Sequence, residues 1–306
     1  MYDIIGDIHG HAQALKELLH KMEYKEVNGV WQHSTRKVIF VGDYIDRGPA
    51  IRETLNIVRT MNENNHAITL MGNHEYNALA YAHRLPDDSY LRPHNAKNNK
   101  QHEATLKEFE VHPEEWKSYL DWFYSLKIFL DLPELRAVHA CWDDDHIHWL
   151  KEQNFYTMNE KLLFDSHHKN KEAYKVINDI LKGKEFSIPE QYAWKDKDGH
   201  SRTENRWKWW KHPNQFSYDK FLFNCPAQLM DKMINEKIDA RIYDKDAPPI
   251  FFGHYWLEDS YPVIQTENVI CLDYSIAKGG NLVAYRWSGE HKIDNKHFVS
   301  LKYKEG

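Results

Sequence analysis

The sequence predicts an α/β protein in which parallel strands alternate with helices. Three apolar runs, each ending at polar residues, recur at 2–7 (YDIIGD), 36–43 (RKVIFVGD) and 66–75 (HAITLMGNHE). The segments between them, 11–22 and 50–64, carry apolar residues at helical spacing. A strand–helix–strand order implies parallel strands joined by right-handed crossovers. The carboxyl ends of these strands therefore gather at one edge of the sheet, where open α/β sheets bind their ligands.

The next part of the chain is predicted to be helical and polar up to about residue 130. The segment 90–101 (YLRPHNAKNNKQ) is typical of a loop, and a helix is expected to begin at Pro113. Another strand is predicted at 135–142 (LRAVHACW). It again ends in a polar side chain, His139.

The region 143–248 has a different composition, rich in Lys, His, Asn and Trp. We interpret it as a mainly helical cap inserted into a single domain that spans 1–306. Strand patterns return at 248–256 (PPIFFGHYW), 268–275 (NVICLDYS) and 281–287 (NLVAYRW). The last two are expected to form an antiparallel hairpin.

Composition excludes several classes of protein. The 306 residues are 42% apolar with a net charge of −6, so a core can form and general nucleic-acid binding, which needs a basic face, is not expected. The three cysteines are widely spaced and lack a C-x-x-C pair, which argues against a disulfide framework. No signal-peptide pattern and no apolar run of about 20 residues is present. The sequence predicts a soluble cytoplasmic protein without a membrane partner.

Polar residues cluster at five predicted strand ends. They are Asp7 and His9; Asp43, Asp46 and Arg47; Asn73, His74 and Glu75; His139; and His254. Carboxylates, an amide oxygen and neutral imidazoles suit borderline divalent metals such as Mn, Fe, Zn or Ni. The set is too large for one tetrahedral ion, so two ions with one bridging carboxylate are expected.

The motifs GDIHG, GDYIDRG, GNHE, VHA and GHYW, in this order, resemble those of the calcineurin-like metallophosphoesterases. Within them they are similar to the phosphoprotein-phosphatase branch, which includes Ser/Thr protein phosphatases and symmetrical diadenosine tetraphosphatases. The resemblance covers roughly residues 1–85, 135–142 and 250–287. It implies a four-layer sandwich of two mixed β-sheets flanked by helices, with the cap inserted.

The resemblance also implies a role for each matched residue. The first metal would be held by Asp7, His9 and Asp43. The ligands of the second metal would be Asp43, Asn73, His139 and His254, with Asp43 bridging. Two divalent ions are implied, Mn first, with Fe, Zn or Ni as alternatives.

The same resemblance assigns the catalytic residues. Arg47 would bind phosphate oxygens, together with Asn73 and His74. His74 would protonate the leaving group while Asp46 orients it. The nucleophile would be a metal-bridging hydroxide that attacks phosphorus in line.

The sequence allows two interpretations of several other residues. Glu75 is expected to support the site or begin a helix rather than to bind metal. Cys141 replaces the glycine usual in this family and is expected to be a tolerated small residue rather than a soft ligand. The Trp cluster at 207–210 is expected to pack the cap against the core, with base stacking as the alternative. Arg202 and Arg206 are the candidates for a second phosphate-binding arginine.

The predicted function is phosphate-ester hydrolysis, first as a Ser/Thr protein phosphatase. The alternative substrate is a dinucleoside tetraphosphate cleaved symmetrically. A third hypothesis, of another class, is a phosphate-binding protein that keeps the metals without turnover. The expected partner is a phosphorylated small molecule, a nucleotide or a phosphoprotein.

Overall fold

The computed structural model describes residues 1–188, 190–195, 201–211, 217–234 and 242–302. The helices are α1 (Ala12–Lys21), α2 (Ile51–Glu63), α3 (Asn73–Ala82), α4 (Ala96–Phe109), α5 (Pro113–Phe123), α6 (Asp144–Glu152), α7 (Glu160–Asp165), α8 (Glu172–Lys182) and α9 (Tyr218–Phe221). The strands are β1 (Tyr2–Ile5), β2 (Lys25–Val27), β3 (Val30–Gln32), β4 (Lys37–Phe40), β5 (Ala67–Thr69), β6 (Phe129–Asp131), β7 (Arg136–Val138), β8 (Glu185–Ser187), β9 (Trp194–Lys195), β10 (Ser201–Arg202), β11 (Glu204–Arg206), β12 (Ile250–Phe252), β13 (Val269–Cys271), β14 (Asp273–Tyr274), β15 (Asn281–Trp287) and β16 (Phe298–Lys302).

The larger sheet contains the predicted parallel strands. Its order is β14-β15-β1-β4-β5, with β16 paired to β15. Strands β1, β4 and β5 are parallel, as the strand–helix rhythm predicts, while β15 runs antiparallel to β1. The sheet is therefore mixed, and the ends of β1 and β4 lie side by side.

The smaller sheet has the order β13-β12-β7-β6. Strands β7, β12 and β13 are parallel, so the segments that follow β7 and β12 leave the same edge. The predicted hairpin of 268–275 with 281–287 forms only in part. The segment 269–271 belongs to the smaller sheet, and the chain then crosses over so that 273–274 pairs with β15 in the larger sheet.

The packing explains why the central strands are apolar on both faces. Side chains alternate along a strand, so Ile5 points to the helical side, in one cluster with Leu15 and Leu18, while Ile4 points to the other sheet. Ile4 shares its cluster with Phe251 of β12. Helices cover the outer faces of both sheets, which confirms the predicted four-layer arrangement of two mixed sheets.

Two local elements differ from the sequence prediction. The loop expected over 90–101 ends at Asn95, whose side chain accepts the Asn98 N–H and caps α4, so the helix begins at Ala96. Between α1 and β4 the chain forms the antiparallel β2–β3 pair, where the sequence predicts no element after the helix at 11–22.

The region 143–248 begins with three helices, α6, α7 and α8, and continues with short strand pairs. Helix α8 packs its apolar face inward, with Val176 and Ile177 fully buried. Among the described residues, none of the helices combines the length and apolar character that a membrane span requires.

Candidate active site

The site lies where loops from both sheets meet. His9 follows β1, Asp43 follows β4, His139 follows β7 and His254 follows β12, while α3 begins at Asn73. Asp43 is central, because its carboxylate faces the imidazoles of His9, His74 and His139 at 3.4–3.9 Å. The structure thus brings together side chains that the sequence separates by up to about 250 positions.

Two groups of side chains have the spacing of metal ligands, and they share Asp43. The first combines His9, Asp43 and His74; the second combines Asp43, His139 and His254. Within each group the ligand atoms lie within 4.8 Å of one another, and all members are buried except His254, which is partly buried. The Asn73 amide oxygen lies 3.1 Å from His139 Nε2. The arrangement fits two ions that share one carboxylate.

The histidine hydrogen bonds support this fit. His9 Nδ1 and His139 Nδ1 donate to the carbonyls of Ile45 and Val41, at 3.0 and 2.8 Å, which leaves each Nε2 facing Asp43 as an acceptor. In His254 it is Nε2 that donates a hydrogen bond, to the backbone carbonyl of Lys182 at 3.1 Å. A carbonyl that fixes one ring nitrogen and leaves the other as a base is the usual support of a metal-binding histidine.

Asp7, a predicted ligand of the first metal, contacts the loop that carries His254. Neither of the two groups includes Asp7; its carboxylate accepts the backbone N–H of His254 at 3.0 Å. Burial, with Asp273 and Asp43 close by, raises the pKa of Asp7 well above its usual value. Three acids in one buried space repel each other, so the donor set fits a cation.

The backbone at the site is unusual. Five residues that are not glycine have a positive φ: His9 (46°), Asp43 (56°), Asp46 (68°), Arg47 (69°) and His254 (67°). This left-handed region costs non-glycine residues on the order of 1–3 kcal/mol each, and it persists where the surroundings enforce it. All five are among the predicted site residues, so the local strain coincides with the site.

Glu75 holds part of this left-handed backbone in place. Its buried carboxylate accepts the backbone N–H groups of Asp43, Tyr44 and Gly72 at 2.8–2.9 Å. Burial and the neighbouring Asp43 raise the pKa of Glu75 to about 7. Glu75 therefore holds the loop after β4 against the start of α3, which agrees with the supporting role expected from the sequence.

His74 and Asp46 form a tight pair. His74 Nδ1 donates to Asp46 at 2.5 Å, and Arg47 Nη2 lies 3.4 Å from His74 Nε2. Burial alone would lower the pKa of His74, but Asp43 and Asp46 raise it above the usual value. Helix α4 adds two more donors to Asp46, His102 Nδ1 at 2.7 Å and Thr105 Oγ1 at 2.5 Å.

Two cationic side chains of the inserted region lie near the site. The backbone carbonyl of Lys182 accepts a hydrogen bond from His254 Nε2, and the Lys182 ammonium lies 4.9 Å from the centre of the Tyr76 ring. Burial, with Arg92 and Arg206 nearby, lowers the pKa of Lys182 to about 8. Burial and the nearby Arg206 lower the pKa of His254 well below its usual value.

Of the two predicted second arginines, Arg206 lies near His254, and its buried Nε has no hydrogen-bond partner among the described residues. The side chain of Arg202 lies outside the described residues. Cys141 is buried, and burial raises the pKa of its thiol far above the usual range, so it is a neutral thiol that packs as a small residue.

The tryptophans pack as expected. Trp207, Trp209 and Trp210 are buried, and Trp209 Nε1 donates to the carbonyl of Ala140 at 2.9 Å. The ring of Trp210 lies 5.1 Å from that of Phe252 in β12. Trp209 and Trp210 join the inserted region to the smaller sheet, while Trp207 packs within the insertion against Phe221, so the base-stacking alternative loses its structural basis.

Three residues at the site were missed by the sequence reasoning. His102 and Thr105 lie in α4, whose polar first turns have the composition of a loop, and the signal for this helix is the capping asparagine Asn95. Asp273 ends the apolar run of β13 and is buried beside Asp7. It follows the same strand-end pattern as the five predicted motifs.

Parts of this chain are similar in sequence to known proteins. An asymmetrical bis(5'-nucleosyl)-tetraphosphatase of Oceanobacillus iheyensis is 44% identical over 73 residues, which is 24% of this chain and 29% of that protein. This chain thus spans less than a third of the length of the first curated relatives that it matches.

A symmetrical bis(5'-nucleosyl)-tetraphosphatase of Vibrio cholerae is 24% identical over 307 aligned positions, covering 94% of this chain and 95% of that protein. Among solved structures, a protein serine/threonine phosphatase of Saccharomyces cerevisiae aligns with a TM-score of 0.49 at 14% identity. That alignment covers 100% of this chain and 80% of the yeast chain.

The family itself is established by a match over most of the chain. The model of the calcineurin-like phosphoesterases covers residues 2–255, which include four of the strand-end motifs and the first three residues of GHYW. The order of these motifs, the two mixed sheets and the shared carboxylate of Asp43 agree with that match. The chain belongs to the calcineurin-like phosphoesterase family.

Proposed function

We propose that this protein is a dinuclear metal-dependent phosphoesterase. The observation that carries the proposal is the pair of ligand groups that share Asp43, placed directly beside the His74–Asp46 pair. Divalent ions held there would offset phosphate charge and lower the pKa of water, so that a nucleophile is present at neutral pH. We propose Mn²⁺, and the same donors also suit Fe, Zn or Ni.

The ligands we propose include every metal residue predicted from the sequence. They are Asp7, His9, Asp43, Asn73, His139 and His254. His74 is not assigned as a ligand, although it lies within the first group, because its Nδ1 is committed to Asp46 and its Nε2 faces Arg47.

The chain's own side chains bind and protonate the substrate. Arg47, which is exposed beside His74 Nε2, would grip two phosphate oxygens with its planar guanidinium. His74 Nε2 would give its proton to the leaving oxygen, while Asp46 holds Nδ1 and fixes the ring. Asn73 would add an amide contact to the phosphate.

For the substrate we propose a dinucleoside tetraphosphate, and we keep a phosphoprotein as the alternative. The support is that the partial relative and the nearly full-length relative are both named bis(5'-nucleosyl)-tetraphosphatases. Symmetrical cleavage is the version to test first, because the longer alignment is with a symmetrical enzyme.

We also propose that 143–248 acts as a cap within a single domain spanning 1–306. Lys182 and Arg206 support this role, since both belong to the insertion and both influence His254. A cap that brings cations to the metal ligands would help to bind an anionic substrate.

The test is hydrolysis of p-nitrophenyl phosphate and of diadenosine tetraphosphate by wild type, Asp43→Asn and His74→Asn, with Mn²⁺ added. We expect activity in wild type and a loss of at least about 100-fold in both variants. His148→Asn is the matched control, because His148 is exposed and pairs with Glu152, one turn along α6.

The outcome decides between the three hypotheses. A wild type that binds two metal ions without hydrolysing either substrate would favour the metal-retaining binding protein. A wild type that is active on phosphopeptides but not on diadenosine tetraphosphate would favour the protein phosphatase. Unchanged activity in His74→Asn would refute the role given to His74.

A further inference from the structure

Helix α4 contacts the loop between β4 and α2 at two points. His102 and Thr105, one turn apart on α4, both donate to the carboxylate of Asp46 in that loop. One turn further along, the Glu108 carboxylate accepts the backbone N–H groups of the first two residues of α2, at 2.7 and 2.8 Å. One helix therefore holds the loop both at Asp46 and at its end.

The two carboxylate oxygens of Asp46 have separate partners. Oδ1 accepts His102 Nδ1–H at 2.7 Å and the Thr105 hydroxyl at 2.5 Å, whereas Oδ2 accepts His74 Nδ1–H at 2.5 Å. Two donors on Oδ1 restrict the rotation of the carboxylate, so that Oδ2 stays directed at His74. The division of partners thus links α4 to the orientation of the imidazole.

Thr105 fixes the main chain of Asp46 as well as its side chain. Thr105 Oγ1 accepts the backbone N–H of Asp46 at 3.1 Å and donates its own proton to Oδ1 of the same residue. Asp46 has a left-handed φ of 68°, a conformation that persists where its surroundings enforce it. The Thr105 hydroxyl is one of the contacts that enforce it.

The two donors on α4 are themselves held in place. Thr105 is fully buried, and the buried ring of His102 packs against Tyr81 of α3 and Trp116 of α5, with ring centres 5.3 and 5.6 Å away. Packing of this kind fixes the side-chain rotamer of a donor, and a fixed donor holds its acceptor within a narrow range of positions. The contacts therefore form a continuous path from the core, through α4 and Asp46, to His74.

We propose that His102 and Thr105 are positioning residues, which hold Asp46 so that His74 presents its Nε2 proton to the leaving oxygen. This inference rests on the proposed function, because it takes His74 as the proton donor. In that step the leaving oxygen takes the Nε2 proton as its bond to phosphorus breaks, and Asp46 keeps its negative charge. His102 and Thr105 act through Asp46, so their effect is specific for the protonation step.

The test uses two leaving groups that differ in their need for a proton. The nitro group of p-nitrophenyl phosphate stabilises the departing phenolate, whereas the leaving group of phenyl phosphate lacks this stabilisation and depends more on the proton from His74. We expect Thr105→Val and His102→Phe, each loaded with Mn²⁺, to lose at least about tenfold more kcat/KM on phenyl phosphate than on p-nitrophenyl phosphate. His102→Phe keeps a ring in the aromatic packing and serves as the second variant if Thr105→Val does not fold.

The matched control is Thr105→Ser, which keeps the hydroxyl and should retain the substrate ratio of wild type. A double variant tests the path through His74. In the His74→Asn background, Thr105→Val should change kcat/KM on phenyl phosphate by less than about threefold, because the proton donor is already absent. A purely structural role of Thr105 would cost the same in both backgrounds.

A measurement of the hydrogen bond itself makes the result independent of turnover. Proton NMR of the Zn²⁺-loaded enzyme, which is diamagnetic, follows the exchange of the His74 Nδ1 proton with water, and the signal is assigned by its loss in His74→Asn. We expect this proton to exchange at least about tenfold faster in Thr105→Val and His102→Phe than in wild type and Thr105→Ser. Slower exchange would mean that the donors on α4 weaken the bond between Asp46 and His74.

The outcomes separate this inference from the proposed function. Equal losses on both aryl phosphates, or an equal cost of Thr105→Val with and without His74, would overturn the inference. Unchanged or slower exchange of the Nδ1 proton in both variants would also overturn it. A wild type inactive on both substrates would refute the proposed function, and the exchange measurement would still decide whether α4 holds the pair. Thermal unfolding confirms that each variant is folded.

Discussion

Gly253 gives a direct test of the position of Asp7. An ideal Cβ built on Gly253 would overlap Asp7 Oδ1 and would lie 3.0 Å from both Asp7 Cγ and Val41 Cγ2. Carbon and oxygen atoms approach no closer than about 3.3 Å, so in Gly253→Ala the carboxylate must move by more than about 1 Å. If Asp7 is a metal ligand, such a displacement is enough to break the coordination.

The expected effect is large and specific for metal binding. Disturbing the support of a ligand weakens metal affinity by about 10–100-fold, and a misplacement of 1 Å costs about 100-fold in rate. We expect Gly253→Ala to bind Mn²⁺ about 100-fold more weakly, which corresponds to about 2.7 kcal/mol. Asp7→Asn should lose metal to a similar extent without the added methyl group.

Calorimetric titration with Mn²⁺ and metal analysis of the purified protein measure this effect. Gly279→Ala is the matched control, since no atom lies within 4 Å of an ideal Cβ there and the cost is the strain of a φ of +78°. Thermal unfolding separates a loss of fold from a loss of metal. Binding of two equivalents of Mn²⁺ by Gly253→Ala with the affinity of the control would refute the assignment of Asp7 as a ligand.

Two further predictions concern stability. Arg36→Met should destabilise the fold by about 2–3 kcal/mol in chemical denaturation, because it removes the shorter of the two ion pairs of the fully buried Asp3 and leaves the pair with Arg286 at 3.2 Å. Arg84→Met, at an exposed pair, should cost less than about 1 kcal/mol, and equal effects of the two variants would refute the argument. His167 stacks on Tyr76, and burial lowers its pKa to about 4, so the unfolded chain binds more protons between pH 6.5 and 4 and stability falls as the pH falls through this window. His167→Phe should flatten this dependence in denaturation curves measured from pH 7 to 4, and an unchanged slope would contradict the prediction.

Side chains that meet beside Asp43 could be found in the sequence because they follow the ends of strands. An apolar run that is buried on both faces reveals a central strand, and the polar residue after it reveals the edge where the chain leaves the core. His139 and His254 were placed by this rule, although 115 positions separate them. The same rule would have included Asp273, which follows the apolar run of β13.

The backbone of the site could not be predicted in this way. A left-handed conformation at His9 or Asp43 is improbable for each residue alone and exists because distant contacts enforce it. For Asp43 the contact is Glu75, which is 32 positions away in the chain. The start of helix α4 was missed for a related reason, because its polar sequence has weak periodicity and the cap at Asn95 is the main signal of the first turn.

The shared role proposed for Asp43 follows from the way the two sheets meet. His9 leaves the larger sheet, while His139 and His254 leave the smaller one, so one ligand group draws on one sheet and the second group mainly on the other. Asp43 can face both because its left-handed turn, held by Glu75, directs the carboxylate into the gap between the sheets. A continuation of β4 in extended geometry would have directed successive side chains to opposite faces of one sheet. The strained turn therefore allows the Asp43 carboxylate to belong to both ligand groups, although these groups come from different sheets.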